Sequence, residues 1–331
     1  MNHTEFFKAL KSGEISPVYF FAGEEQYVMR SALKQLENAV ISEDLKDVNL
    51  TVLPAAATGS EICSSCETFP FLSDKRMVIL EESVFLSTTG KADGEDQFLE
   101  YLKNPLDTTV LVIINSSPDK RKKLYKALQN HTVVEFNPLS DSELSRWIEK
   151  ILKGFDLTIE SSALQFLMEY ADARPEALIT ELEKLASYKM EGTITKEDIL
   201  QVVTPCNDYN IFKMIDAILN KDAKTSLMLL SGMLLNKEEP IYILGAISKQ
   251  YRQLLRIKTL LEEKTPRQEI ISLMSMRDFI YKRLENVCNK TTSKKLKLAM
   301  DLCYATDEGL KTRLKFDEAA LHTLVYQLAS L

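Results

Sequence analysis

The stretch PVYFFAGEEQYVMRSALKQL, Pro17 to Leu36, sets an apolar run against a glycine and then an amphipathic helical pattern. A phosphate-binding turn sits at such a junction. The motif G-x-x-x-x-G-K-[ST] supplies a nest of backbone N–H groups, a lysine for the β- and γ-phosphates and a hydroxyl for Mg²⁺. After Gly23 this chain reads EEQYVMR, so the second glycine, the lysine and the hydroxyl are all missing. Glu24 and Glu25 would repel a triphosphate strongly in a poorly screened site, and Arg30, the nearest cation, lies a full turn into the helix. At a helix N-terminus the same two carboxylates suit the macrodipole. The strand VLVIINSS ends in Asn115 and Ser116, where an acidic pair would hold a metal and polarise water, so no metal-activated nucleophile is expected. The reading is a cradle kept as a fold, with no catalytic residue, cofactor or metal.

Other reactive constellations are equally thin. The histidines stand at positions 3, 131 and 322, and no Ser-His-Asp, Cys-His or paired-carboxylate arrangement emerges. Cysteines at 63, 66, 206, 288 and 303 are odd in number and irregular in spacing, which argues against a disulfide framework. The CSSC of Cys63 and Cys66 has the spacing of a redox or metal half-site, but no second pair exists, and helical thiols buried in a core satisfy the same pattern. DKRKKLYK gathers Lys120, Arg121, Lys122, Lys123 and Lys126 within a turn and a half of an expected helix. Such a cluster is either a DNA-phosphate contact or a solvated helix face, and both readings stay open. KTTSKKLK near Lys290, and Tyr251 with Arg252 in SKQYRQLLRIK, invite the same pair of readings.

The elements that must carry these residues fall into three groups. Up to residue 137, strand and helix patterns alternate. TEFFKALKSG is a helix with Thr4 as its expected cap, followed by the strand PVYFFAG and a helix with Tyr27, Val28, Ala32, Leu33, Leu36 and Val40 on one face. VNLTVLP turns Val48, Leu50 and Val52 to one side. GSEICSSCETF is a helix capped at Ser60, and RMVILEE a strand. STTGKADGEDQ is a polar loop, and DQFLEYLKNP a helix stopped by Pro105. TTVLVIINSS, the basic helix and TVVEFNP complete a parallel sheet covered on both faces. Pro138 breaks the chain, Ser140 or Asp141 caps the next helix, and residues 138–206 read as a small helical unit. From 207 to 331 every segment is helical, with apolar stripes at Leu227, Leu230, Met233 and Leu234 and at Ile243, Ile247, Leu254 and Leu255. The fold class is therefore α/β plus all-α. A sheet domain followed by a helical lid resembles the AAA+ module. The chain has 331 residues, 45% hydrophobic and 27% charged, with no apolar run long enough for a membrane helix and no signal-peptide core at its N-terminus. A soluble cytoplasmic protein is expected. The net charge of −7 disfavours any nucleic-acid contact that is not local.

In order along nearly the whole chain, PVYFFAGEEQYVMRSALKQL, FPFLSDKRMVIL, LDTTVLVIINSSPDKRKKLYKAL, ADARPEALITELEKLASYK, TITKEDILQVV, NIFKMIDAI, EEPIYILGAISKQYRQLLRIKTL and MDLCYATDEGLK resemble the delta subunit of the bacterial DNA polymerase III clamp loader. The resemblance implies an AAA+-like domain over 1–137, a lid over 138–206 and a collar domain over 207–331. It implies a subunit that does not hydrolyse ATP, binds the sliding clamp (beta) and helps open the ring over primed DNA. Its partners would be tau or gamma ATPase subunits and delta-prime in a five-membered loader. It places the clamp contact on Phe71 and Leu72, with Pro70 stiffening the turn before them. On spacing alone Phe69, Phe71 and Leu72 would pack under the sheet. The resemblance brings Phe71 and Leu72 out and leaves Phe69 in the core. DEGLK, Asp307 to Lys311, matches a family signature and suggests no more than a helical ion pair.

Three functions separate experimentally. A clamp-opening subunit binds the clamp without nucleotide. A divergent nucleotide-dependent ATPase binds ATP with Mg²⁺, and the missing lysine and acidic pair argue against it. A helical DNA-binding scaffold binds DNA in a salt-dependent way through Lys120 to Lys123, and the net charge argues against that.

Overall fold

The computed structural model describes residues 1–88, 93–312 and 317–331. Contacts divide the chain into two compact units, Met1–Leu139 and Ser140–Leu331. Part of the polar loop expected over 87–97, at 89–92, lies outside the described residues.

The first unit runs α1 (His3–Lys11), β1 (Val18–Ala22), α2 (Gln26–Val40), α3 (Lys46–Asn49), β2 (Leu50–Leu53), α4 (Gly59–Glu67), β3 (Arg76–Glu81), α5 (Glu95–Lys103), β4 (Thr109–Asn115), α6 (Lys123–Leu128) and β5 (Thr132–Glu135). Its five strands pair in the order β2-β3-β4-β1-β5, all parallel. Every residue of β4 is buried, as a central strand covered on both faces must be. Successive side chains point to opposite faces. On one face Val18, Phe20, Val78, Leu80, Leu111 and Ile113 pack with Ile62, Cys66, Phe98, Leu102, Leu124 and Leu128 of α4, α5 and α6. On the other, Phe6 of α1 meets Tyr19 and Phe21 edge-on, with centroids 5.7 and 5.3 Å apart.

Several local expectations shift. The cap of α1 is Asn2 and that of α4 is Thr58, each in a reciprocal capping box with the glutamate three residues on, Glu5 or Glu61. A second polar residue beside the true cap misled the sequence reading in both cases. Ser140 caps the first helix of the second unit in the same way, with Glu143. Val48, Leu50 and Val52 do not form one face of a strand. Val48 belongs to the one-turn helix α3, β2 is an edge strand, and both valines are exposed. The basic helix begins only at Lys123.

The second unit opens with α7 (Asp141–Lys153), β6 (Leu157–Ile159), α8 (Ser161–Tyr170), α9 (Pro175–Lys189), β7 (Gly192–Ile194) and α10 (Lys196–Val202). β6 and β7 form a parallel pair, each too short to show a period-two pattern in sequence. It continues with α11 (Asn207–Leu219), α12 (Ala223–Leu235), α13 (Pro240–Glu262), α14 (Arg267–Leu273), α15 (Asp278–Asn289), α16 (Ser293–Lys311) and α17 (Asp317–Ala329). Leu230, Met233, Ile243, Ile247 and Leu254 are buried in its core, with Leu227, Leu234 and Leu255 packed half-buried around them. Tyr251 is buried there too, so it packs and does not face nucleic acid. Met228, Leu235, Tyr242, Tyr304 and Tyr326 remain exposed.

β1 leaves the sheet through Gly23 at φ +136°, where a Cβ would stand 2.2 Å from the Phe136 carbonyl oxygen. Both the conformation and the space demand glycine. Gly23→Ala should therefore lower stability by about 2–4 kcal/mol, read as a fall in the urea midpoint by circular dichroism.

Candidate functional site

The cradle geometry is present and closed. Phe136 N–H donates to the Ala22 carbonyl at 2.7 Å, and Glu25 N–H donates to the Phe136 carbonyl at 2.9 Å. Gly23 N–H donates to Asn115 O at 3.4 Å and Gln26 N–H to Glu24 O at 3.0 Å. The amides of residues 23, 25 and 26 thus have carbonyl acceptors, leaving none of the three for an anion. α2 starts directly after Glu25, which puts Glu24 and Glu25 at the positive end of its dipole. At the end of β4 the buried Asn115 side chain accepts from Ser117 N–H at 3.1 Å, and Ser116 N–H donates to Glu82 Oε1 at 2.8 Å. Asn115 caps its own turn.

The basic cluster is split. Lys120, Arg121 and Lys122 lie in the turn before α6, and only Lys123 and Lys126 lie on it. The Arg121 guanidinium is bidentate on Asp119, Nε to Oδ1 at 2.9 Å and Nη2 to Oδ2 at 2.8 Å. Those hydrogen bonds hold the Asp119 carboxyl down to about 2. Arg121 is therefore paired with a carboxylate while its side chain remains exposed. Asp307 and Lys311 form a solvent-exposed helical pair at 2.7 Å.

The feature that stands out is the segment between α4 and β3. Phe69 is 81% exposed, Phe71 59% and Leu72 78%, with Pro70 half-buried between them. Three large apolar side chains in four residues, all in water, are not core. The expectation that Phe69 packs under the sheet is wrong, because α4 ends at Glu67 and Phe69 stands in the loop before the chain enters the sheet at Arg76.

The tip is exposed but anchored. Asn49 is fully buried at the end of α3. Its Oδ1 accepts from Phe71 N–H at 2.7 Å, and its Nδ2 donates to the Phe71 carbonyl at 2.9 Å and to Leu45 O at 3.3 Å. One amide side chain thus meets both main-chain groups of Phe71, as a neighbouring strand would. Arg76, buried at the start of β3, donates from Nη1 to Thr68 O at 3.3 Å and from Nη2 to Thr51 Oγ1 at 2.8 Å. Thr68 Oγ1 donates to Ser64 O at 2.8 Å, and the buried Thr109 Oγ1 to Cys66 O at 2.6 Å. These side chains take up carbonyls that the end of a helix leaves unpaired, so α4 stops abruptly without a glycine. Leu72 follows at φ +49°, a conformation that costs a leucine about 1–3 kcal/mol. The fold maintains that strain where the side chain turns outward.

Comparison with known proteins places this architecture. The family model described as "DNA polymerase III, delta subunit" matches residues 19–137, and "DNA polymerase III delta subunit, C-terminal domain" matches 208–328. The chain belongs to the DNA polymerase III delta subunit family. The delta subunit of Bacillus subtilis is 27% identical over 98% of this chain and 96% of its own. A probable delta subunit of Aquifex aeolicus is 25% identical over 75% and 72%, and the Escherichia coli delta subunit 20% over 77% and 75%. The solved Bacillus subtilis DNA clamp loader delta protein superposes with a TM-score of 0.72 at 27% identity, covering 99% of this chain and 100% of that one. The delta fold, a parallel-sheet part and a largely helical remainder, is the fold described above.

In this delta-family chain the residues that sequence reasoning missed are Asn49 and Arg76, the two that hold the tip. Their signal was a buried polar residue at the end of a short helix and an arginine opening an apolar strand, both of which pass for ordinary surface positions. Cys63 and Cys66 are buried, unpaired thiols of α4. Burial pushes both thiols up, that of Cys66 to about 12.

Three expectations follow from these surroundings. Asn49→Ala strands both main-chain groups of Phe71, so it should cost about 2 kcal/mol of stability and accelerate hydrogen exchange at the Phe71 amide more than at β4 amides. Cys63 and Cys66 should resist iodoacetamide at pH 8 until the protein unfolds, as read by mass spectrometry. Because the folded value lies above the ordinary one, the Cys66 contribution to stability is intact below about pH 9 and lost as the pH rises towards 12.

Proposed function

We propose that this member of the delta family is a clamp-loader subunit that binds the DNA polymerase III sliding clamp through Phe71 and Leu72, flanked by Pro70 and Phe69, and helps open the ring. The observation that carries the reading is an apolar tip held in place by buried hydrogen bonds while its side chains stand in water. Burying each such side chain is worth ~1.5–3 kcal/mol, and a few large apolar anchors dominate interfaces of this kind. Because the tip is already ordered, binding loses little conformational entropy.

The subunit contributes binding energy and no hydrolysis. The closed cradle and the amide and hydroxyl of Asn115 and Ser116 support that division, with ATP turnover left to tau or gamma subunits. Residues 1–137 act as the clamp-facing domain, 138–206 as the lid and 207–331 as the collar domain. The exposed Met228, Leu235, Tyr242, Tyr304 and Tyr326 support packing against delta-prime and the ATPases. Primed DNA is met through the assembled loader, in the cytoplasm. Among the described residues no helix is long and apolar enough to cross a membrane.

Calorimetric titration against the sliding clamp tests this directly. Wild type should bind with or without ATP, and Phe71→Ala with Leu72→Ala should weaken binding by about 2 kcal/mol or more. A folded wild-type protein that leaves the clamp unbound, or that gives heat with ATP alone, would overturn the reading.

A further inference from the structure

The tip does not stand alone. On the neighbouring edge of the sheet two more apolar side chains face water: Val48, just before β2, is 53% exposed, and Val52, the third residue of β2, 61%. Val52 sits opposite Ile79, which is buried while the valine is not. β2 is the edge of the sheet, and no helix covers this side chain on it. A lone exposed valine needs no explanation. Two of them bracketing Asn49 and Thr51, the residues laced to the tip, are a different matter.

The lacing is double. Asn49 joins α3 to Phe71 through two hydrogen bonds, and Arg76 joins Thr51 of β2 to Thr68 at the foot of the tip. The edge formed by α3 and β2 and the tip are therefore one mechanical piece. The areas require such a flank. Phe69, Phe71 and Leu72 expose on the order of 400 Å² between them, about half of the ~800 Å² per partner in a stable interface of standard size. A partner seated on the tip must cover neighbouring surface, and the neighbour tied to it by hydrogen bonds is the Val48–Val52 edge.

We infer that Val48 and Val52 form a flank of the clamp-docking surface beside Phe69, Phe71 and Leu72, so that the clamp is gripped by an anchor and a flank. The inference rests on the clamp-binding reading given above. The tip enters an apolar groove of the clamp, and the valine edge lies against the rim of that groove. Such a flank fixes the direction in which the anchored tip is held.

The test titrates the full-length chain against the sliding clamp by calorimetry, comparing wild type, Val48→Ser with Val52→Thr, Phe71→Ala with Leu72→Ala, and Met190→Ser as an exposed apolar control in the other unit. Both valine changes are at exposed positions, and thermal melting by circular dichroism confirms that each variant is folded. The valine pair should weaken binding about tenfold, the tip pair more, and the control not at all. Wild-type affinity in a folded valine variant, alongside a weakened tip variant, overturns the flank and leaves the clamp reading standing. Unchanged affinity in both variants, or no binding by wild type, overturns both.

Discussion

Two hydrogen bonds between the Asn49 amide and the main chain of Phe71 make an exposed apolar tip possible. Apolar side chains gain nothing from standing in water, so the tip cannot be ordered by burying them. It has to be ordered from below, through its backbone, by polar groups that are themselves buried. Asn49 supplies that grip 22 residues away in sequence, and Arg76 supplies the second. Without them the segment would be a greasy loop, and the energy of any contact would be spent on ordering it.

The remainder of the first unit serves this grip. β4 and β1 lie at the centre of a parallel sheet, and β3 next to β4 sets where Arg76 begins. α4 is fixed at its N-terminus by the Thr58 and Glu61 capping box and at its C-terminus by hydroxyls from Thr68 and Thr109. A helix held at both ends delivers Phe69 to a defined place. The strain at Leu72 is tolerable because the residue just before it is clamped on both main-chain groups.

How much of this was legible in the sequence depends on the range of the interaction concerned. The strands with continuous apolar runs, PVYFFA and TVLVIIN, and the helices with strong periodicity were readable because their burial follows from local pattern. The turn after Gly23 was readable as a strand-to-helix junction because a glycine separates the apolar run from the helical period. Phe69 was misplaced because aromatic residues read as core wherever helix length is uncertain by two residues. Val48 and Val52 were placed on one face of a strand because alternation mimics a strand there, although Val48 belongs to α3, and alternation does not show whether a face is covered. Asn49 was silent because its partner is a main-chain group brought near only by the parallel pairing of β2 and β3. The caps of α1 and α4 were each off by two residues because polar neighbours compete for the same role, whereas Ser140 was read directly.

The closure of the turn at Gly23 by Phe136 limits what side-chain changes could do there. Restoring a lysine and a hydroxyl to GEEQYVMR would leave the amides of residues 23, 25 and 26 still bonded to carbonyls, and the carbonyl of Phe136 would still occupy the space beside Gly23. Single substitutions there would each arrive at a site whose backbone is already committed. The main chain acts as a latch, keeping the turn shut whatever side chains it carries.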